Sequence, residues 1–304
     1  MILDNRNQNK NIGKVDLGVL YTILILLAIG VVMIYSASSF YSMFHYNDSM
    51  FYLKKQGIMA VIGLVAMFFM MNFDYHRLKK ITPKLLIITI PLLIAVFFFP
   101  AVNGAKRWIQ LGGLSFQPSE LTKYVVVLFL ALSIDIKGDG IKDFWTGIVP
   151  YLALSGFFAA LVLAEKNLSI AAIIMIVTFI LLFISGGKIK HLFGIVLPTL
   201  LTLAIFFIFS SDYRRARMLN FIDPWKDAAG DGYQLIQSFY ALGSGGITGL
   251  GLGQSRQKTL YMPEPHNDFI FSIIGEELGL IGCLLIISLF IIFIWRGVRI
   301  AIKA

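Results

Sequence analysis

The stretch PEPHNDFIFSIIGEELGLIGCLLIISLFIIFIW, residues 263–295, places Asp268 directly before an apolar run that is long enough to cross a lipid bilayer. A transmembrane helix needs about 20 predominantly apolar residues. Two further carboxylates, Glu276 and Glu277, lie inside the run. Charged side chains within a membrane span are costly, and they usually mark an ion-paired or functional position. The stretch therefore predicts a membrane helix with an acidic residue at its start.

The composition of the whole chain is typical of a polytopic membrane protein. Of the 304 residues, 58% are hydrophobic and 14% are charged, whereas a soluble domain carries about 25% charged residues. Apolar runs predict an all-α fold with about eight transmembrane helices, in a single integral membrane domain over residues 1–304. The predicted spans are 17–37, 57–72, 84–99, 119–134, 146–163, 168–185, 191–210 and 268–295.

The net charge of +9 points to membrane orientation rather than to nucleic acid. Lysine and arginine residues accumulate in loops on the cytoplasmic side of membrane proteins, and the short loops here follow that bias if the N-terminus is inside. The predicted cytoplasmic segments are 1–16, 73–83, 135–145, 186–190 and 296–304. We therefore expect no nucleic-acid partner.

The segment 211–267, between the seventh and eighth predicted spans, forms one long extracytoplasmic loop in this orientation. Long loops within a compact protein are usually functional. The segment contains Arg214 and Arg215 and the glycine-rich run ALGSGGITGLGLG at 241–253. This run lacks the Gly-Lys-Ser/Thr ending of a phosphate-binding loop. It predicts a tight backbone with positive φ at several positions, or backbone amides that face a substrate phosphate.

The stretch PSELTKY, residues 118–124, predicts the start of a helix. Pro118 suits the first turn of a helix, and Glu120 and Lys123 are then neighbours on one face. They form an ion pair that orients the helix, or Lys123 faces an anionic substrate while Glu120 holds it in place. Just upstream, Arg107 precedes Trp108 at a predicted membrane interface, where it serves as an anchor or contacts a phosphate through its planar guanidinium group.

The helix that follows Asp268 is predicted to begin near Asn267. A rotation of 100° per residue then places Glu276 about 80° away from Asp268 and Glu277 on the far side of the helix. The side chains on the same side as Asp268 are small: Ser272, Gly275, Gly279 and Gly282. A face of small residues allows close helix packing, or it leaves room for a lipid-linked substrate.

The four histidines of the chain are scattered, and none is spaced as a transition-metal site requires. We therefore expect no metal site built from the protein alone. A divalent cation, Mg²⁺ or Mn²⁺, is an alternative cofactor. Carboxylates and the phosphates of a substrate would hold it.

Four motifs, in order, resemble the SEDS family (shape, elongation, division and sporulation) over nearly the whole chain. They are NGAKRWIQLGGLSFQPSELTK, AEKNLS, DGYQLIQSFYALGSGGITGLGLGQSRQK and MPEPHNDFIFSIIGEELG. The segments YSASS, DPWKDAAGDGYQ and SRQK followed by PEPHNDFIF are more similar to the FtsW and SpoVE branch than to RodA. Family members usually have ten spans, and this sequence is C-terminally short, ending after the eighth predicted span.

The resemblance implies a peptidoglycan polymerase that joins lipid II units at the outer face of the bacterial cytoplasmic membrane. The implied partners are lipid II, undecaprenyl pyrophosphate, a class B penicillin-binding transpeptidase and other divisome proteins. The resemblance also implies that Asp268 is catalytic and that Arg107, Glu120 and Lys123 line or support the substrate cavity. Lys258, in the SRQK motif, is a further candidate for substrate binding.

The chemistry of this reaction requires only one base. Forming a β-1,4 bond from an α-linked sugar pyrophosphate inverts the anomeric carbon, so a single displacement suffices. Asp268 is then expected to accept the proton of the attacking hydroxyl group. Arg107, Lys123, Arg214, Arg215 or a divalent cation would stabilise the departing pyrophosphate. The alternatives are a lipid II transporter and a non-catalytic scaffold that recruits a transpeptidase.

Overall fold

The computed structural model describes residues 15–102, 104–111, 114–230, 232–259 and 261–303. Most of the predicted cytoplasmic segment 1–16 lies outside the described residues. The chain divides into two compact units: a terminal unit, Met1–Phe73 with Ser211–Ala304, and a central unit, Asp74–Ser210. The organisation of residues 1–304 as a single integral membrane domain stays a prediction.

Helices dominate the described residues. The α-helices are α1 (Leu17–Tyr46), α2 (Phe51–Met71), α3 (Leu78–Ala95), α4 (Pro118–Lys137), α5 (Val149–Ala164), α6 (Leu168–Ile184), α7 (Ile189–His191), α8 (Leu197–Phe209), α9 (Asp212–Ile222), α10 (Tyr233–Gly245) and α11 (Ile270–Lys303). Four 3₁₀ turns lie at Tyr75–Arg77, Val96–Phe98, Gly138–Lys142 and Pro224–Asp227, and two π-helical turns at Phe144–Ile148 and Leu192–Val196. Each of the predicted apolar runs is largely helical.

A small β-hairpin precedes α4. Its strands, β1 (Ile109–Leu111) and β2 (Leu114–Phe116), pair antiparallel with Ile109 opposite Phe116. The prediction of an entirely helical chain missed this hairpin, because three-residue strands are too short to show an alternating pattern.

Six helical stretches within the described residues are long and apolar enough to cross a membrane: Leu17–Tyr46, Phe51–Met71, Tyr75–Phe98, Phe144–Ala164, Ile189–Phe209 and Ile270–Lys303. Helix α6 is apolar but has only 17 residues. Helix α4 has 20 residues but carries four charged side chains. Large apolar side chains such as Ile87 and Phe206 are exposed on these helices, as expected where lipid rather than water covers the surface.

The central unit is a helical bundle in which α4 packs against α3 and α6, and α5 packs against α6. Its core contains fully buried side chains from each of these helices: Leu93, Leu130, Phe158 and Leu182. Pro118 lies in the first turn of α4, as predicted.

In the terminal unit, α1 packs against α2 and α11, and α10 packs against α11. The core between them includes Met33 and Ala37 of α1, Ala241 of α10 and Ile273 of α11. Helix α11 is interrupted at Gly279, whose φ of 67° and ψ of −165° are not helical. The prediction of one continuous face of small residues below Asp268 is therefore wrong, because the rotation per residue is lost at this break.

Candidate functional site

Asp268 lies in a turn two residues before α11, and its side chain is exposed. Helix α11 begins at Ile270 rather than near Asn267, and the carbonyl of Phe269 accepts hydrogen bonds from the amides of Ser272 and Ile273 at 3.0 and 3.3 Å. Asp268 is therefore outside the first helical turn where the sequence predicted it. An exposed carboxylate in a turn is accessible to a substrate hydroxyl group.

The segment 255–268 is here called the Asp268 loop, and its described residues, 255–259 and 261–268, pack on α1 and α2. Met262 is 1% exposed and joins the core around Met33. His266 is 7% exposed, and its ring centroid lies 4.1 Å from that of Tyr52 and 5.5 Å from that of Tyr41. The position of Asp268 therefore depends on side chains far away in the sequence.

Burial lowers the pKa of His266 below its usual value, while the carboxylates of Glu264 and Asp268 act in the opposite direction. The imidazole of His266 therefore binds a proton more readily in the unfolded chain than in the folded protein. We expect the stability that neutral His266 provides to be present above about pH 6.5 and to decrease as the pH falls below it. His266→Phe, which keeps a ring between the tyrosines, is expected to weaken this pH dependence.

Thermal unfolding in detergent between pH 8 and pH 5 measures the effect. The control is His45→Phe, because His45 is exposed and stacks on Tyr41 in the same aromatic group. Equal pH dependence in wild type and His266→Phe would show that His266 does not destabilise the protein in acid.

Glu276 of α11 holds the first residues of the Asp268 loop. Its side chain is 1% exposed and accepts a hydrogen bond from the hydroxyl of Ser255. It also accepts hydrogen bonds from the backbone amides of Arg256 at 3.0 Å and Gln257 at 3.4 Å. This carboxylate, a costly charge within an apolar run, therefore has backbone and hydroxyl donors.

Glu277 joins the same loop to α1. It is fully buried, its Oε1 lies 2.7 Å from Nζ of Lys258, and both of its oxygens accept from the hydroxyl of Ser36 at 2.7 Å. Lys258 is itself 7% exposed and also donates to the Ser36 hydroxyl at 3.1 Å. Because of these contacts, the amine of Lys258 points into the protein. Its contact with a substrate stays a prediction.

The glycine-rich run packs into the break of α11. The amides of Leu250 and Gly251 donate to the carbonyls of Glu276 and Glu277 at 2.9 and 3.0 Å, and the amide of Leu280 donates to the carbonyl of Gly246 at 2.9 Å. The amides of Leu250 and Gly251 are therefore engaged within the protein, and the alternative of a phosphate-binding role gains no support at these two positions. Positive φ is found, as predicted, at several positions of the run: Gly246, Gly249, Gly251 and Gly253.

A cavity of about 590 Å³ lies beside the end of the Asp268 loop. Phe269, directly after Asp268, and Pro263 line it together with α9 and α10. Its polar lining residues are Arg217, Asn220, Tyr233 and Gln234. Elsewhere on α9, Arg214 is partly buried, and Arg215 is exposed, 3.5 Å from Asp212. The cavity thus combines an apolar wall with polar groups next to the candidate base.

The remaining candidates belong to the central unit. Lys123 and Glu120 form the predicted ion pair, with Nζ 2.8 Å from Oε2. Arg107 donates from Nε to the carbonyl of Glu165 at 3.3 Å and from a second nitrogen to the carbonyl of Lys166. Arg107 therefore supports the turn between α5 and α6, and its contact with a phosphate stays a prediction.

Glu165, which is not among the residues predicted for the site, is 1% exposed in this turn. Burial raises its pKa to about 7, against the opposite effects of Ser119 and Arg107. A carboxylate in AEKNLS directly after an apolar run was the signal that could have identified it. Because ionisation of a buried carboxyl is unfavourable, the protein loses stability as the pH rises from about 4.5 to about 7.

Glu165→Gln is therefore expected to stabilise the protein at pH 8 by about 2–3 kcal/mol, with no gain at pH 4.5. Thermal unfolding at both pH values measures the difference. Asp139→Asn, at a side chain that is 91% exposed, is the control and should give no gain at pH 8. If Glu165→Gln is no more stable than the wild type at pH 8, the pKa of Glu165 is not raised.

Comparisons with known proteins agree with the resemblance seen in the sequence. The profile of the FtsW, RodA and SpoVE family, described as cell cycle proteins, matches residues 17–304. The "Probable peptidoglycan glycosyltransferase FtsW" of Geobacter sp. (strain M18) is 41% identical over 293 residues, which cover 95% of this chain and 79% of that protein. "Stage V sporulation protein E" of Bacillus subtilis (strain 168) is 40% identical over 295 residues, 95% of this chain and 80% of that protein.

Solved structures show the same fold. A chain of a peptidoglycan synthase complex, studied for its coordination of polymerization and crosslinking, superposes with a TM-score of 0.72 at 28% identity, covering 92% of this chain and 76% of that one. The rod shape determining protein RodA of Thermus thermophilus gives a TM-score of 0.63 at 23% identity, covering 92% and 73%. Because the profile and the relatives cover nearly all of the sequence, the chain belongs to the FtsW/RodA/SpoVE family of cell cycle proteins.

Proposed function

We propose that the chain is a peptidoglycan glycosyltransferase that joins lipid II units into glycan strands, in cell division or sporulation. The observation that carries this conclusion is the 41% identity, over 95% of the chain, to a relative named peptidoglycan glycosyltransferase. An exposed carboxylate close to a cavity of about 590 Å³ with polar lining residues supports this activity.

In the proposed reaction, Asp268 is the general base. The 4-hydroxyl oxygen of the acceptor sugar attacks C1 of the donor sugar, and the hydroxyl proton passes to the Asp268 carboxylate. The bond from C1 to the pyrophosphate oxygen breaks, and undecaprenyl pyrophosphate leaves with the bonding electrons. One displacement inverts the anomeric carbon, so no protein nucleophile is required.

The leaving pyrophosphate requires nearby positive charge. Arg215 is one proposed source of this charge, because it is exposed on α9, two residues before Arg217, the arginine that lines the cavity next to Phe269. Arg214, Arg107 and Lys123 are the other proposed contacts, with Glu120 orienting Lys123 through their ion pair. Lys258 was also predicted from the sequence to bind substrate, but its amine is buried against Glu277 and Ser36, so we propose no substrate contact for it.

A divalent cation, Mg²⁺ or Mn²⁺, is a second proposed source of positive charge. Among the residues that the structure describes, no group of three His, Cys, Asp or Glu side chains offers a complete metal site. A cation would therefore be held by the substrate phosphates with one or two carboxylates, as Mg²⁺ often is.

We place the protein in the bacterial cytoplasmic membrane with eight spans, the N-terminus inside, and Asp268 and the loop 211–267 outside. The positive charge of the short loops supports this orientation. A class B penicillin-binding transpeptidase is the proposed partner, since the structural relative with a TM-score of 0.72 comes from a complex that coordinates polymerization and crosslinking. Lipid II, undecaprenyl pyrophosphate and other divisome proteins complete the proposed partners.

Purified protein in lipid vesicles, incubated with labelled lipid II, tests the proposal. We expect glycan strands that separate by length on a gel. Movement of lipid II across the vesicle without strands would favour a transporter, and neither outcome would favour a scaffold; both would contradict the proposed activity. Parallel reactions with and without a chelator measure the requirement for a divalent cation.

A further inference from the structure

Three buried polar side chains connect the Asp268 loop with two helices, and we call them the buried cluster. Lys258 belongs to the loop, Ser36 to α1 and Glu277 to α11, and their exposed fractions are 7%, 7% and 0%. The ion pair and the hydroxyl contacts give both oxygens of Glu277 a donor. The cluster is thus charge-balanced and hydrogen-bonded, as buried ions must be.

Both ends of the Asp268 loop are attached to the N-terminal part of α11. At its first end, Ser255 and the next two amides bind Glu276. At its last end, the chain passes from Asp268 into α11 at Ile270. The loop is therefore closed on α11, and the buried cluster additionally joins its first end to α1.

A buried ion pair adds little stability compared with apolar side chains of similar volume. Its hydrogen bonds are directional, however, and a satisfied polar network specifies one arrangement of the elements that it joins. An apolar contact of the same size would allow the loop to shift on α1. Catalysis is sensitive to such shifts, because a displacement of about 1 Å can reduce the rate by roughly a hundredfold.

We propose that Lys258, Glu277 and Ser36 are positioning residues, which hold the Asp268 loop so that the carboxylate of Asp268 meets the substrate hydroxyl in one geometry. This inference rests on the proposed function. The cluster acts through the loop and has no contact with the reacting atoms.

The test removes the cluster without leaving a buried charge. Lys258→Met alone leaves the buried Glu277 carboxylate without its cation, and this variant is expected to fold poorly. The double variant Lys258→Met/Glu277→Gln has neither charge, so it should fold with a melting temperature close to that of the wild type. Ser36→Ala is a milder variant that keeps the ion pair. Lys54→Met is the control, because it breaks an ion pair with Asp48 that is exposed.

Two measurements distinguish positioning from stability. We expect kcat for strand formation to fall about 10- to 100-fold in the double variant, while KM for lipid II stays within about twofold, since the substrate contacts are unchanged. Hydrogen exchange should become faster in peptides that cover residues 255–268 and remain unchanged in α2. Ser36→Ala should show both effects more weakly, and Lys54→Met neither.

A double variant that folds and retains the kcat of the wild type would overturn the proposal, as would unchanged hydrogen exchange in the Asp268 loop. If the double variant fails to fold, Ser36→Ala is used instead. A wild-type kcat or unchanged hydrogen exchange of the Asp268 loop in Ser36→Ala would then overturn the proposal. Absence of strands with the wild-type protein would instead contradict the proposed function. In that case hydrogen exchange alone still tests whether the buried cluster holds the loop.

Discussion

Asp268→Asn is expected to reduce the rate of strand formation by about 10²- to 10⁴-fold, the contribution typical of a general base. The amide has nearly the same shape as the carboxylate but cannot accept the proton of the attacking hydroxyl group. Because Asp268 is exposed in a turn, the substitution is expected to leave folding intact. The measurement is the initial rate of polymer formation from labelled lipid II in vesicles, together with the melting temperature.

The matched control is Glu264→Gln, which removes another exposed carboxylate from the same loop. Glu264 accepts a hydrogen bond from Asn267 at 2.9 Å, so its loss should cost little activity beyond a small effect on the turn. An Asp268→Asn protein that retains at least a tenth of the wild-type rate would remove Asp268 from the role of base. Equal losses in both variants would indicate that negative charge in the loop, rather than Asp268 itself, is required.

Gly279→Ala is expected to destabilise the terminal unit by about 2–6 kcal/mol, through backbone strain and overpacking together. The φ of 67° and ψ of −165° at Gly279 belong to a region that is essentially restricted to glycine. A Cβ atom there would also lie 2.3 Å from the amide nitrogen of Gly249 and 2.4 Å from the carbonyl oxygen of Ile247. Both backbone atoms are hydrogen-bonded: the Gly249 amide donates to the carbonyl of Gly245 at 2.8 Å, and the Ile247 carbonyl accepts from the amide of Ile281 in α11 at 3.2 Å.

The measurement is thermal unfolding in detergent, with the yield of monodisperse protein as a second readout. Gly30→Ala is the control, because Gly30 lies within α1 and a Cβ atom there would meet no heavy atom within 4 Å. That substitution should be neutral or slightly stabilising, since alanine is the better helix former. If Gly279→Ala unfolds at the temperature of Gly30→Ala, the interruption of α11 does not depend on glycine.

Features that depend on neighbouring residues were predictable from the sequence. Apolar runs of sufficient length predicted the helices, because helix formation in a membrane is driven by composition over about 20 residues. The ion pair of Glu120 and Lys123 followed from their spacing of three residues on one helix. Positive φ in the glycine-rich run followed from the residue type.

The predictions failed where a helix departs from regular geometry. The face of small residues below Asp268 was projected along a continuous helix, and the break at Gly279 invalidates that projection. The hairpin before α4 was missed because its strands have only three residues each. The break itself is stabilised by hydrogen bonds from the glycine-rich run, which lies about 30 residues earlier in the chain.

The sequence alone was sufficient for the membrane class, the helical segments and the family, because these depend on local composition and on motifs read in order. The partners of Glu276 and Glu277 required the folded chain: Ser36 and Glu277 are separated by 241 positions. Each glutamate in isolation is simply a costly charge within an apolar run. Only when α1, the Asp268 loop and α11 pack together do donors reach these carboxylates, and the position of Asp268 follows from that packing.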